Sequence, residues 1–423
     1  MYFLGLDFGT SGARAIAINQ ATEIQFEHKV GYELANVATW QIALEQLLVS
    51  IPLEVRKELK RIAIAATSST VLISDRAGNP TSQVLIYNDQ SAKDLVSNIT
   101  KIATPGHTVV GATSSLVKLL WLLSQANSQT QYISDYLLSQ ADYLGFLLHG
   151  EIGISDYHNC LKLGYDPENL NYPNWLLELN LRINLPKVFG PGESVAKVQK
   201  NISDRFHLSS ECEICAGTTD SNAAFIATLD SPSLGVAVTS LGSSLVLKLV
   251  SDRPIFSAEY GIYSHRLDWQ DQTFWLVGGA SNTGGAVLRY YFSDAEIAAY
   301  SSQIKPNIPS ELNYYPLLQP GDRFPTNDPE LLPILQPRPE NDLAFLQGML
   351  EGIAKIEAQG YQLLQKLTKT KISQLYTNGG GAQNSTWTKI RQRYLGLEPK
   401  AALQTEAAYG AAKLALSTMA IME

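Results

Sequence analysis

The segment Leu6-Asp7-Phe8-Gly9-Thr10-Ser11-Gly12-Ala13-Arg14 sets a carboxylate, two glycines and two hydroxyls between two apolar runs. A glycine-rich turn points several backbone N–H groups one way and lets a ligand approach without meeting a Cβ, so it makes an anion-binding nest. Thr10 and Ser11 add hydroxyl donors. A carboxylate beside such a nest suits a phosphate that arrives with a divalent cation, because Mg2+ prefers carboxylate oxygen and retained water. Taken alone, the segment also reads as an ordinary hairpin turn, where Asp, Gly and Thr are common.

Three further stretches add to it. Thr239-Ser240-Leu241-Gly242-Ser243-Ser244-Leu245 repeats the strand, Gly/Ser turn, strand pattern, so two such nests could hold a polyphosphate between them. Cys215-Ala-Gly-Thr-Thr-Asp220 ends on an acid in the first turn of a helix, where the macrodipole favours the anion. Asp220 there is either an ordinary helix-start acid or a general base that takes a proton from a hydroxyl nucleophile. Asn378-Gly-Gly-Gly-Ala-Gln-Asn384 puts three glycines between a strand and a helix, where backbone can lie flat against a nucleotide and the helix N-terminus adds positive potential.

These turns need elements to position them. Apolar runs predict three strands between residues 2 and 34, a helix over Trp40–Leu48, a strand at Arg61–Thr67, and a strand pair at 71–75 and 84–89 split by the turn at 76–80. Helices are predicted through much of 90–148, and loops with short helices over 155–210. The pattern restarts near 235 with a second hairpin, followed by strands, a long helix over 342–367, and a strand leading into the three glycines. The chain therefore reads as two similar halves that divide near 225–235. The Pro-rich stretch 304–340 is predicted to be an ordered excursion over the second half.

A chain of 423 residues, 45% hydrophobic, is large enough for two cores. Its net charge of -8 argues against nucleic acid or an anionic membrane surface as partner. No apolar run spans a bilayer and the first residues lack a basic leader, so a cytoplasmic or stroma-like soluble compartment is expected. Cys160, Cys212 and Cys215 are too few for a disulfide framework or a zinc site, which leaves the Cys212–Cys215 spacing as two ordinary thiols. Oligomeric state is not legible.

Read together, nine segments resemble, in order, the motifs of the FGGY carbohydrate kinases, of the sugar kinase, actin and heat-shock ATPase superfamily. They are LDFGTSGAR, SSLVKLLWLL, SDYLLSQADYLGFLLHGE, LPKVFGPGESVAKV, CAGTTD, TSLGSSL, FLQGMLEGIA, NGGGAQNSTWTKIRQRYLGLEP and TEAAYGAAKLA. The resemblance implies an α/β chain of two RNase H-like (actin-like ATPase) domains with an interdomain cleft. It puts sugar binding and the base in residues 1–228 and the nucleotide in 229–423, with the last helix at the interface between domains. The implied reaction is ATP- and Mg2+-dependent phosphorylation of a sugar or polyol hydroxyl. By motif match, Asp7 places the metal and the transferred phosphoryl group, and Thr10, Ser11, Gly12 and Arg14 serve the phosphates. Asp220 is the catalytic base, Gly242 and Ser243 contact phosphate, and Gly380, Ala382 and Asn384 line the nucleotide site.

The sugar segments depart from the family pattern. Relatives that act on xylulose or glycerol often carry Q-M-H-G where this chain has Ala66-Thr-Ser-Ser69-Thr-Val-Leu72. They often carry W-x-D-x-R where this chain has Tyr87-Asn-Asp89-Gln-Ser91, which keeps the acid and lacks the arginine. Ser69 and Asp89 are the candidate sugar contacts. The compact pattern resembles cyanobacterial and plant pentulose kinases, which implies D-ribulose as substrate, with D-xylulose or another polyol as the alternative. An actin- or chaperone-like ATPase switch would need the same phosphate turns but not the base in CAGTTD. A member that hydrolyses ATP slowly and senses a sugar is a third reading.

Overall fold

The computed structural model describes residues 1–104, 107–126 and 132–417. The chain forms two compact units, taken here one at a time. The first comprises residues 1–227, the short segment Arg266–Gln272 and the closing helix Ala407–Ser417. The second comprises Thr228–His265 and Thr273–Thr405.

A seven-stranded sheet organises the first unit. Its order runs Ile24–Val30, Gly12–Ile18, Tyr2–Gly9, Leu59–Ala66, Glu213–Cys215, Ser194–Lys197, with Thr218–Thr219 also pairing to Leu59–Ala66. The first three strands are antiparallel, and Leu59–Ala66 is parallel to its neighbours on both sides. Residues Phe3 to Leu6 and Phe8 are buried without a polar alternation, because both faces of the central strand are covered. On one face Leu4, Leu6 and Phe8 meet Trp40, Leu44 and Leu47 of helix Val37–Ser50 and Leu144 and Leu148 of helix Gln140–His149. On the other, Phe3, Ile16 and Ala63 meet Ala408, Ala411, Ala412 and Ala415 of the closing helix. Small residues let that helix press down on the sheet: a Cβ on Gly5 would lie 1.8 Å from the Ala408 carbonyl oxygen. The closing helix thus packs within the first unit, where the sequence reading placed 229–423 in the second domain with the last helix at the interface between domains. Its apolar small-residue face finds its partner in the opening strand.

Residues 84–89 do not form the predicted strand. Only Leu85 bridges to Val71, while the other edge of Val71–Ser74 pairs with Tyr136–Ser139. The run VLIYND is short and breaks at Ile86, whose carbonyl accepts from the Asp89 N–H and starts a turn.

The second unit opens with the hairpin Val236–Leu241 and Leu245–Ser251. Its sheet runs Tyr263–Trp269, Gln272–Ser281, Leu245–Ser251, Val236–Leu241, Gln374–Asn378, Lys400–Ala401, and turns parallel at Gln374–Asn378. The helix Asp342–Thr368 lays Phe345, Leu346, Met349, Leu350, Ile353 and Leu364 into the core. Glu357 lies on that same buried face and is held by Arg391, whose Nε and Nη2 donate to it at 2.6 and 2.7 Å. Thr239 donates to Glu357 at 2.5 Å, and Thr377 accepts from Arg391 at 2.9 Å. Removing one partner of such a pair leaves the other charge buried and unpaired. Arg391→Met is therefore expected to destabilise the protein by about 3–5 kcal/mol. The double change Glu357→Leu/Arg391→Met should recover most of that. Urea unfolding followed by tryptophan fluorescence checks both, and a single mutant as stable as wild type would contradict the reading.

Candidate active site

Asp7 and Asp220 lie far apart in sequence and meet through one strand. Asp7 pairs with Ala65 on one side of Leu59–Ala66, and Thr218 pairs with Ala65 on the other. Parallel pairing brings both chain segments to the same end of the sheet, one residue short of the first turn in one case and at the start of helix Asp220–Thr228 in the other. Asp7 is half-buried, and its Oδ1 is buried without a hydrogen-bond partner. Burial, followed by the negative charges of Asp220 and Glu406, pushes its carboxyl up to about 8 against the opposing pull of Arg14 and Lys29. Asp220 Oδ1 accepts the N–H of Ser221 at 2.7 Å, which fixes the carboxylate at the helix start.

The opening turn closes with Gly9 opposite Gly12, leaving Thr10 and Ser11 exposed at its tip. Gly12 has φ +131°, and a Cβ there would lie 2.7 Å from the Val30 carbonyl oxygen, so a side chain has no room. Arg14, directly across from Asp7, is paired with Glu27 at 2.5 Å and Glu406 at 3.1 Å. Its guanidinium is engaged by carboxylates from both sides.

A hydrogen-bonded chain that sequence reasoning missed supports this turn. Tyr32 donates to the Gly9 carbonyl at 2.8 Å, and Gln140 Nε2 donates to the Tyr32 hydroxyl at 3.2 Å. Thr67 donates to Gln140 Oε1 at 2.9 Å and shares a 2.6 Å contact with Thr70. Burial holds the Tyr32 hydroxyl well above its usual range, with Asp7 and Asp220 adding to that. The turn around Thr218 is braced similarly by His158 Nδ1 at 2.7 Å. Gln140 stands inside SQADYL, and its polar type at the head of an apolar helix was the available signal.

Of the predicted sugar residues, Ser69 is 2% exposed with φ +61°, and its Oγ is buried without a partner. Asp89 is half-exposed and accepts the Ser91 N–H at 2.8 Å. The Cys212 and Cys215 thiols are buried, and burial raises both well above the usual thiol range.

In the second unit, the Gly242–Ser244 turn is locked by its neighbours. The N–H groups of Gly285 and Ala286 donate to the Gly242 and Ser243 carbonyls at 2.9 and 3.0 Å, and Arg289 Nη2 donates to Ser243 Oγ at 3.2 Å. Gly379, at φ +83°, runs so close to this hairpin that a Cβ would lie 2.6 Å from the Leu241 carbonyl oxygen. Gly380 faces open space. That space is a cavity of about 540 Å³ walled by Gly380, Gly381, Gln383 and Asn384, with Arg289, Asp294, Ser301 and Trp387 opposite or beneath. Asn384 caps the helix Ser385–Leu395 through the Trp387 N–H at 2.9 Å and donates to Ser301 at 2.8 Å. Ala382 sits in the same turn, Gly380–Gln383, whose other residues Gly380, Gly381 and Gln383 wall the cavity. Arg289, Asp294 and Ser301 carry no sequence motif and reach the cavity only through the fold.

Among the described residues no group of three or more His, Cys, Asp or Glu side chains could hold a metal ion by itself. No described helix is long and apolar enough to cross a membrane.

Two family models match the chain: the FGGY family of carbohydrate kinases, N-terminal domain, over residues 2–227, and the C-terminal domain of the same family over residues 237–419. A xylulose kinase of Staphylococcus xylosus is 20% identical over 98% of this chain and 90% of its own length. A gluconokinase of Bacillus subtilis is 19% identical over 92% and 82%. The solved structure of a ligand-bound xylulose kinase from Lactobacillus acidophilus superposes with a TM-score of 0.84 at 17% identity, covering 100% of this chain and 90% of that one. At such identity this last likeness shows the two-domain α/β fold.

Proposed function

The chain belongs to the FGGY family of carbohydrate kinases, and from that premise we propose that it transfers the γ-phosphoryl group of ATP to the terminal hydroxyl of a pentulose, D-ribulose in the first reading. The observation that carries the chemistry is the pair Asp7 and Asp220, two carboxylates brought to one sheet end, where burial and then the charge of Asp220 raise the Asp7 carboxyl to about 8. Asp220, anchored by the Ser221 N–H, orients the acceptor hydroxyl and takes its proton as the new P–O bond forms. The bond between the γ-phosphorus and its bridging oxygen breaks, and ADP departs with that oxygen. Asp7 Oδ1, buried and without a partner, fits a divalent cation, with phosphate and water completing the shell. Mg2+ would there neutralise charge on the phosphate oxygens. Thr10, Ser11 and Gly12 offer donors to phosphate beside it. The cavity over Gly380 and Asn384 is the proposed nucleotide site, with Gly242 and Ser243 as the phosphate turn of that unit.

Ser69, standing where xylulose- and glycerol-type motifs carry His, supports D-ribulose. The relatives named xylulose kinase support D-xylulose as the second reading. A coupled assay of ADP release with D-ribulose, D-xylulose, gluconate and glycerol, with mass spectrometry of the product, decides between them. We expect one added phosphate and the highest kcat/KM on D-ribulose. A higher value on D-xylulose would install the second reading, and no sugar-dependent turnover would remove the kinase reading.

A further inference from the structure

Lys118, in the middle of helix Ser115–Ser124, is 0% exposed, and its ammonium reaches two separate segments of the first unit. Nζ donates to the Ser69 carbonyl at 2.8 Å and to the Ile86 carbonyl at 2.6 Å. Ser69 holds a left-handed backbone conformation that is strained for a non-glycine residue and persists only where its surroundings enforce it. The Ile86 carbonyl also accepts the Asp89 N–H at 2.9 Å, so it begins the turn that carries Asp89. One buried amine therefore grips the backbone on which each candidate sugar contact stands. Ser69 Oγ, buried beside these bonds, has no hydrogen-bond partner of its own.

We propose that Lys118 is a positioning residue for sugar recognition: it clamps the Ser69 segment and the Asp89 turn at a fixed spacing. This rests on the proposed sugar-kinase reading. The clamp is two hydrogen bonds from one buried amine, which donates to both carbonyls in either protonation state and binds them more strongly when charged. Burial is the leading influence on the Lys118 amine and lowers it to about 7, with Asp89 on the clamped turn favouring the charged form and Lys162 opposing it. Lys118 bonds directly to neither Asp7 nor Asp220 and reaches the opening turn only at a distance, through the chain from Thr67 and Thr70 to Gln140, Tyr32 and Gly9, so its loss should act on sugar binding more than on the transfer step.

Lys118→Met and Lys118→Arg test this on the full chain. We expect Lys118→Met to raise the sugar KM roughly 10–100-fold, the effect of losing a hydrogen bond to a charged group, with kcat and the ATP KM changed far less. Lys118→Arg, which keeps the cation, should restore part of the sugar KM. Hydrogen exchange without ligand should show 68–71 and 86–91 loosened together in Lys118→Met. If that variant does not fold, Lys118→Arg carries the same readouts with smaller changes. An unchanged sugar KM, or a fall confined to kcat, overturns the proposal. So does exchange that rises in only one segment or only in the helix. Should the wild type phosphorylate no sugar, the functional reading fails, and the exchange result still decides the clamp.

Discussion

Asp220→Asn is expected to reduce kcat on the best sugar by about 10²–10⁴-fold, the usual contribution of a general base, while ATP affinity stays near that of the wild type. The acceptor is a neutral alcohol, and its proton must leave as the P–O bond forms. Asn keeps the size of the side chain and can still accept the Ser221 N–H that anchors Asp220 Oδ1. It cannot take the proton. The fold should survive, because Thr218 and Thr219 stay paired with Ala65 and Ala66 and His158 still holds Thr218. A second consequence follows from the charge. Asp220 is the leading charged group that raises Asp7, so Asp220→Asn should let the Asp7 carboxyl ionise at lower pH. Steady-state kinetics on the best sugar, with ATP Kd by calorimetry, check the first part. Retention of more than about a tenth of wild-type kcat would leave Asp220 as a helix-start acid only.

Asp7→Asn should lose activity by about 10²–10³-fold, the range for removing one electrostatic group aimed at developing charge, and should gain stability at alkaline pH. The Asp7 carboxyl sits at about 8 in the folded chain against an ordinary 3.8. The folded state therefore binds a proton that the unfolded state releases between those values. The stability this contributes is complete below about pH 4 and is lost as pH rises through 8. Asn cannot ionise and escapes that loss. The difference in Tm between Asp7→Asn and wild type should therefore widen from pH 6 to pH 9, by about 2–4 °C for each kcal/mol. A cation reverses the balance. Because binding one to Asp7 displaces a proton, apparent Mg2+ affinity in the wild type should rise as pH is raised through 8. Thermal scans with and without Mg2+ at several pH values test this. A Tm difference that is flat with pH would mean that Asp7 is ionised in the free protein at neutral pH.

The same two carboxylates show what kind of information a sequence holds. The turns were legible because their demands are local. Gly12 needs positive φ and clearance from Val30, and Gly379 needs the same beside Leu241. A helix start at Asp220, a hairpin at 236–251 and the long helix from Asp342 follow from turn chemistry and from periodicity. The order of nine motifs then named the family, and with it the expectation of two units. Other features depend on which distant segments become neighbours, and no local pattern encodes that. Asp7 and Asp220 meet because two strands flank Leu59–Ala66 in parallel. The closing helix joins the first unit because its alanines fit over Gly5. Residues 84–89 pair with Val71 only at Leu85, because the Ile86 carbonyl turns to accept the Asp89 N–H. Tyr32, Gln140, Arg289 and Lys118 carry ordinary polar side chains whose roles exist only through what lies opposite them. Sequence alone therefore determined the turns, the periodic elements and the family. Tertiary structure decided which carboxylates share one sheet end, because long-range pairing, not spacing along the chain, brings Asp220 to Asp7, and burial there raises the Asp7 carboxyl.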